Sequence, residues 1–278
     1  MNFPHCKIIA FEGLDCSFKE TNYKAFSERF KKFFTDAQMY YPPECPKELK
    51  LIYQRCNPII CESFPRYNTE FSLFVNQWLQ GNYDREMLKE HPDIINTFYA
   101  LDRFDFWHHF TSTPFGDDIK IRNIDFYQKG GAVFIFDRYT GSNAIYNPVS
   151  GDRIGVPDLL HDASAFYSKP LSTEESITNT GKVDLIPPPD IVVFMRMKSF
   201  DVLLNSIANK KDKDKNELDK DFLHEIWLRA EQAISRDVYK DAGIKLISID
   251  VLSKNGSFRS RENIAEEVWF KVMGALCN

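Results

Sequence analysis

The stretch Glu12-Gly13-Leu14-Asp15-Cys16-Ser17-Phe18-Lys19-Glu20-Thr21 decides how this chain is read. It follows Lys7-Ile8-Ile9-Ala10-Phe11, a run apolar enough for a strand buried on both faces, and helical spacing takes over from Thr21. A strand, a short loop and a helix are the setting of a phosphate-binding loop, whose pattern is G-x-x-x-x-G-K-[ST]. Gly13 and Lys19 stand where that pattern needs them, but Phe18 replaces the second glycine and Glu20 the metal-binding hydroxyl. Glycine would allow an unusual backbone and a close phosphate, whereas phenylalanine restricts φ and adds bulk. A carboxylate at position 20 would oppose a triphosphate by about 4 kcal/mol per contact, taking ~4 Å and an effective dielectric of ~20. A directly bound Mg²⁺ would cancel that repulsion, because carboxylates suit the ion.

The rest of the composition narrows the class. The chain has 278 residues, and we expect one domain spanning 1–278. A net charge of −5 argues against a nucleic-acid surface or an anionic membrane as partner, while leaving room for a small basic phosphate pocket. The cysteines, at 6, 16, 45, 56, 61 and 277, show no zinc spacing and read as reduced thiols. The segment before the first strand is short and polar, and no apolar run approaches the ~20 residues of a membrane span. A cytoplasmic protein is expected. Aromatic residues make up 14% of the chain and are mostly Phe, which reads as a Phe-rich core.

Five apolar runs read as strands: Lys7–Phe11, Ile59–Ser63, Ala132–Asp137, Ile191–Met195 and Ile244–Ile249. Helical spacing lies between them over Thr21–Thr35, Glu70–Leu79, Pro92–Phe110 and Leu218–Gly243. This alternation predicts an α/β fold with a five-stranded parallel sheet and helices on both faces. Residues 41–57 and 147–189 read as irregular loops. The charge run Asn209–Asp221 reads as a solvated helix end or a short charged lid, about 205–221. In open α/β folds chemistry collects at the carboxyl ends of the strands. Lys19, Arg66, Arg138 and Lys210 or Lys211 follow strand ends or the helix beyond, as do Arg196 and Lys198. Cations of both types bind phosphate.

Several runs together carry a family resemblance: Phe64-Pro65-Arg66-Tyr67, Trp78-Leu79-Gln80-Gly81, Tyr99-Ala100-Leu101-Asp102-Arg103, Asp137-Arg138-Tyr139-Thr140-Gly141-Ser142-Asn143-Ala144-Ile145-Tyr146 and Pro189–Phe194. Their order and spacing resemble thymidylate kinase from residue 7 to about 250. The resemblance implies a P-loop NTPase fold that moves the γ-phosphoryl of ATP to dTMP with Mg²⁺, in a homodimer.

The resemblance also implies roles for individual residues. Lys19, Arg138 and Asp15 would be catalytic. Phe64 and Arg66, from the Phe-Pro-Arg element, would hold dTMP together with Arg138 and Asp137, the two arginines on its phosphate. Tyr99 would stack on thymine, Arg103 and Asn143 would read its edge, and Tyr146 would crowd the place of a 2′-OH. Gly13, Cys16, Ser17, Phe18, Lys19, Glu20 and Thr21 would cradle ATP, joined by Lys210 and Lys211. Asp214 and Glu217 match the two acids of the mobile lid, and Lys213 adds to its positive charge. Asp15 and Glu20 are the expected Mg²⁺ ligands.

The departures cluster on the ATP side. They are Phe18, Glu20 and Ser206, which stands where the lid would carry an arginine. Two functions stay open. One is an active thymidylate kinase. The other is a catalytically impaired relative that binds nucleotide and acts as a sensor or interaction protein. A deoxynucleoside kinase is a more distant reading, because the Phe-Pro-Arg element suits a phosphorylated acceptor.

Overall fold

The computed structural model describes residues 7–36, 59–84, 90, 92–112, 114–115, 118–122, 133–147, 186–211, 213 and 217–277. The expected loops 41–57 and 147–189 lie outside them except at 147 and 186–189, as does the lid residue Asp214.

In chain order the elements begin with β1 (Lys7–Gly13), α1 (Lys19–Asp36) and β2 (Ile59–Ser63). A 3₁₀ turn over Glu70–Ser72 then leads into α2 (Leu73–Leu79), followed by α3 (Pro92–Ser112). The short strands β3 (Pro114–Phe115) and β4 (Asp118–Arg122) pair with each other, antiparallel and apart from the main sheet. Next come β5 (Val133–Asp137), α4 (Thr140–Tyr146), β6 (Ile191–Arg196) and α5 (Phe200–Ala208). The chain continues with α6 (Lys220–Ser235), α7 (Val238–Asp241), β7 (Lys245–Asp250) and α8 (Arg261–Cys277).

The five expected strands form one parallel sheet in the order β2-β5-β1-β6-β7. Each apolar run matches its strand to within two residues. Strands covered on both faces have no polar side to show, so they read as continuous hydrophobic runs. Phe11 and Glu12 illustrate the two faces. Phe11 packs on Tyr23 and Phe26 of α1, and α8 lies beside α1, with Trp269 against Phe26 and Phe30. Glu12, one residue on, must face the opposite way. There it meets α4 and the Tyr239 side of α7. On that same face Trp107 of α3 packs against Phe134 and Phe136 of β5. Phe11, Phe30, Phe134, Phe136 and Phe194 are all fully buried, so the high Phe content does serve the core. Each such ring stabilises by roughly 1.5–3 kcal/mol relative to exposure.

The helical expectations differ in detail. The segment expected over Leu218–Gly243 is two helices, because Asp237 adopts a left-handed φ of 51° and ends α6. Asp219 caps α6, its side chain accepting from the Phe222 amide at 3.0 Å. The helices α4 and α8 had no counterpart in the expectation, while α5 is the helix expected between Lys198 and the lysine-rich run. For α8 the sign was there: Ile264, Val268 and Val272 repeat every four residues and all are buried.

Candidate active site

Parallel strands deliver their carboxyl ends to one edge of the sheet. The loops after β1, β2 and β5 meet at that edge. Phe64 N donates to Asp137 O, and Arg138 N to Phe11 O, both at 2.9 Å, so the three loops are stitched by backbone.

The loop after β1 keeps a phosphate-loop path despite its substitutions. Gly13 has φ 144°, and a Cβ there would lie 2.8 Å from Met195 O and 2.9 Å from Ser17 Oγ, so only glycine fits. Ser17 Oγ closes the loop by donating to Leu14 O at 2.6 Å. Cys16 and Phe18 are both left-handed, at φ 61° and 60°. Each costs of order 1–3 kcal/mol in a non-glycine residue, and such strain persists only where the surroundings hold it. For Phe18 the holding contact is visible. Its ring packs on Phe258, centroids 5.0 Å apart, with the Arg261 guanidinium 5.6 Å from its centre. The side chain thus has an anchor between β7 and α8. In a double-mutant cycle, Phe18→Ala and Phe258→Ala should couple by about 0.5–1.5 kcal/mol in denaturant unfolding. Strictly additive losses would mean that the ring contact does not hold the loop.

Glu20 is also accommodated. Its carboxylate, in the first turn of α1, is 65% exposed and pairs at 2.5 Å with Lys24, one turn further along. The Lys24 hydrogen bond holds it below the usual range of a glutamate. The repulsion expected toward a triphosphate is therefore partly offset by a cation at i+4.

A cleft of ≈ 540 Å³ opens over this loop, lined by residues 14–21 with Ser63, Asp137, Arg138 and Lys210 among others. A smaller cavity of ≈ 80 Å³ adjoins it, lined by Tyr99, Arg103, Asn143, Tyr146, Phe222 and Leu223 among others. The two share Asp15, Phe64, Pro65, Tyr67 and Arg138, so they are lobes of one cleft meeting at Arg138. Every residue expected for the dTMP pocket lines at least one lobe except Arg66. The loop residues expected for ATP line the large lobe apart from Gly13, which packs beneath it against Met195.

The charges in the cleft are paired. Lys19 pairs with Asp137, Arg138 with Asp15, and Lys210 with Glu217 at 2.7 Å. Burial, and then the neighbouring Arg138, pushes the Lys19 ammonium below its usual range, so an added anion beside it is favoured. Burial alone would raise the Asp15 carboxyl, but Arg138, then Lys19 and Lys210, hold it below its ordinary value. A depressed carboxyl contributes stability that is complete above its unfolded value and is lost as pH falls through the folded one. Asp15→Asn should therefore flatten the fall in Tm below about pH 4, the unfolded range of an aspartate. An unchanged acid limb would show that the Arg138 pair adds no stability.

Other expected cations are engaged elsewhere. The Arg66 guanidinium is locked under α3. Nε donates to Asp102 Oδ1 at 2.9 Å, and Nη2 to Asp102 O and Asp105 Oδ2, both at 2.7 Å. Arg66 lines neither lobe, and a phosphate contact from it would require those bonds to break. Arg196 pairs with Glu231 and Lys198 with Asp250. Lys213 donates to Ala208 O at 2.8 Å, and neither it nor Lys211 lines the cleft. Ser206, at the expected arginine position, donates to Val202 O at 2.7 Å.

The motif reading gave no site role to Phe222, Leu223 and Leu79, which line the small lobe, or to Glu12, which is buried. Glu12 had a sequence signal, an acid set directly after a strictly apolar run.

The fold is a parallel α/β sheet with a phosphate-type loop after its central strand. No family model and no curated protein matches the chain. Among solved structures, thymidylate kinase from Candida albicans matches at a TM-score of 0.51 and 14% identity, covering 98% of this chain and 92% of that one. Thymidylate kinase from Ehrlichia chaffeensis matches at 0.50 and 15%, covering 97% and 100%. At these identities the likeness shows the fold alone: the described residues form the five-stranded parallel P-loop fold shared with these structures. Among the described residues no helix is long and apolar enough to cross a membrane.

Proposed function

We propose that the protein is a nucleoside monophosphate kinase that transfers the γ-phosphoryl of ATP to dTMP, giving dTDP and ADP. The observation that carries this reading is the two-lobed cleft whose lobes meet at Arg138, above a phosphate-type loop. Phosphoryl transfer asks the protein mainly for positioning and for charges on the moving group. In this reading the large lobe takes the ATP phosphates against Lys19, with Lys210 at its rim. The small lobe takes the acceptor nucleoside, with Tyr99 on the base, Arg103 and Asn143 at its edge and Tyr146 by the sugar. That lobe must widen to admit a base, since ligand pockets run to about 300–1,000 Å³. Arg138 holds the acceptor phosphate, whose oxygen attacks the γ-phosphorus while the bond to the β-phosphate oxygen breaks.

The paired charges support a metal–nucleotide ligand. Phosphates that take Lys19 and Arg138 would strand Asp137 and Asp15, and a cation must then meet those carboxylates. Their oxygens, with Glu20 also lining the large lobe, are the donor type that Mg²⁺ takes. The ion would neutralise phosphate charge there. We extend the reading to one cytoplasmic domain acting as a homodimer, for which exposed Leu73 and Phe74 on α2 offer apolar surface.

A coupled assay with Mg²⁺–ATP and a panel of nucleoside monophosphates tests the proposal. Turnover is expected with dTMP ahead of the others. Nucleotide binding without turnover on any acceptor would overturn the kinase reading in favour of a nucleotide-binding sensor.

A further inference from the structure

The buried acid Glu12 takes no part in the chemistry outlined above. It stands next to Gly13 at the end of β1, is 0% exposed, and lies opposite Phe194 of β6 in the sheet register. A carboxylate in such a place has several kcal/mol of desolvation to overcome, and burial does push it above the usual range of a glutamate. Both of its oxygens are used. Oε1 accepts from the Tyr139 amide at 2.9 Å, and Oε2 accepts from Ser142 Oγ. Space is reserved for it as well: a Cβ at Gly141 would come within 3.0 Å of Oε1 and 3.1 Å of the Tyr239 hydroxyl.

These bonds act on Arg138, the residue between them and the sheet. Its own amide donates to Phe11 O at 2.9 Å, and the next amide, that of Tyr139, is taken by Glu12. Two successive amides are thus bound to two successive residues of β1, one by backbone and one by side chain. Between them Arg138 adopts φ 63°, a left-handed conformation that an arginine holds only under constraint. In that conformation the guanidinium reaches Asp15 and faces the Tyr146 ring, 5.6 Å from its centre, where the two lobes join.

We propose that Glu12 is a positioning residue that, through the Tyr139 amide and Ser142, holds Arg138 in its left-handed conformation and so aims the guanidinium at the acceptor phosphate. The inference rests on the acceptor role given to Arg138 under the proposed function. It makes β1 a rigid reference for both halves of the reaction: the donor loop grows from its end, and the acceptor arginine is tied to the Phe11 carbonyl and the Glu12 carboxylate.

Two variants separate positioning from mere support. Glu12→Gln keeps an acceptor for Tyr139 N and can donate to Ser142 Oγ, whereas Glu12→Ala keeps neither. Amide hydrogen exchange is followed at Tyr139, with Val193 in the middle of β6 as reference, and calorimetry compares dTMP with thymidine. In Glu12→Ala the Tyr139 amide should lose protection while Val193 keeps it. The preference for dTMP over thymidine should fall at least about tenfold, a change of ~1.4 kcal/mol. Glu12→Gln should restore both. A general loosening of the pocket would weaken dTMP and thymidine alike and would overturn the proposal. So would a protected Tyr139 amide in Glu12→Ala, or an intact dTMP preference despite lost protection. If the parent protein itself shows no preference for dTMP, the acceptor reading of Arg138 fails separately, and the exchange result alone decides whether Glu12 holds the Arg138–Tyr139 backbone.

Discussion

Replacing Lys19 by methionine should lower phosphoryl transfer by roughly 10²–10³-fold, the usual effect of removing one preorganised charge or donor from a transition state. Lys19 is 7% exposed and its partner Asp137 10% exposed, so the change also strands a buried carboxylate. Losing one member of a buried pair costs about 3–5 kcal/mol. The lower end is expected here, because burial and Arg138 already disfavour the charged lysine. The second variant is Lys19→Met with Asp137→Asn, which removes both charges. It should recover much of the stability while remaining as slow as the single variant. Stability is read from denaturant midpoints and turnover from the coupled assay. A Lys19→Met protein with parental turnover would show that the ammonium does not meet the moving phosphate.

Arg138→Ala should weaken dTMP by about 2–3 kcal/mol, the worth of a charge-assisted hydrogen bond to phosphate, and leave thymidine nearly unchanged. In affinity that is roughly 30–150-fold. The expectation follows from the place of Arg138 at the junction of the lobes, where it pairs with Asp15 and lies over the Tyr146 ring. Calorimetry with the two ligands reads the difference directly. Equal losses for nucleotide and nucleoside would make the arginine a brace of the loop. The same experiment on Arg66→Ala gives the contrast. Arg66 is bound to Asp102 and Asp105 under α3, so its removal should reduce stability and affect both ligands together.

The two loop substitutions change meaning once their neighbours are known. From the sequence Phe18 is an obstruction and Glu20 a misplaced charge. In the structure the Phe18 ring is anchored on Phe258 and the Glu20 carboxylate on Lys24. Lys24 is four residues away on one helix, so that pairing could have been read from spacing. Phe258 follows β7, at the far end of the chain, and no local pattern connects it to Phe18. The contact exists because β7 ends and α8 begins beside the loop after β1.

What the sequence by itself determined is the path of the backbone. Short continuous apolar runs rich in Ile, Val and Phe read as strands covered on both faces, and helical periodicity between them points to a parallel α/β sheet. Gly13 and Lys19 at their spacing, and Asp137-Arg138 at a strand end, then place the loops that carry chemistry. These are local constraints, set by sterics and by which side chains avoid water. What only the tertiary structure decided is which partner each side chain takes. Arg66 could have faced a phosphate or the α3 acids, and it faces the acids. Glu12 could have been a surface acid, and instead it holds the Tyr139 amide. Asp15 found Arg138 across 123 positions, and Lys19 found Asp137 across 118. A charge or ring pairs with whatever the strand order brings within a few ångströms, and that order is a property of the whole sheet rather than of any stretch within it.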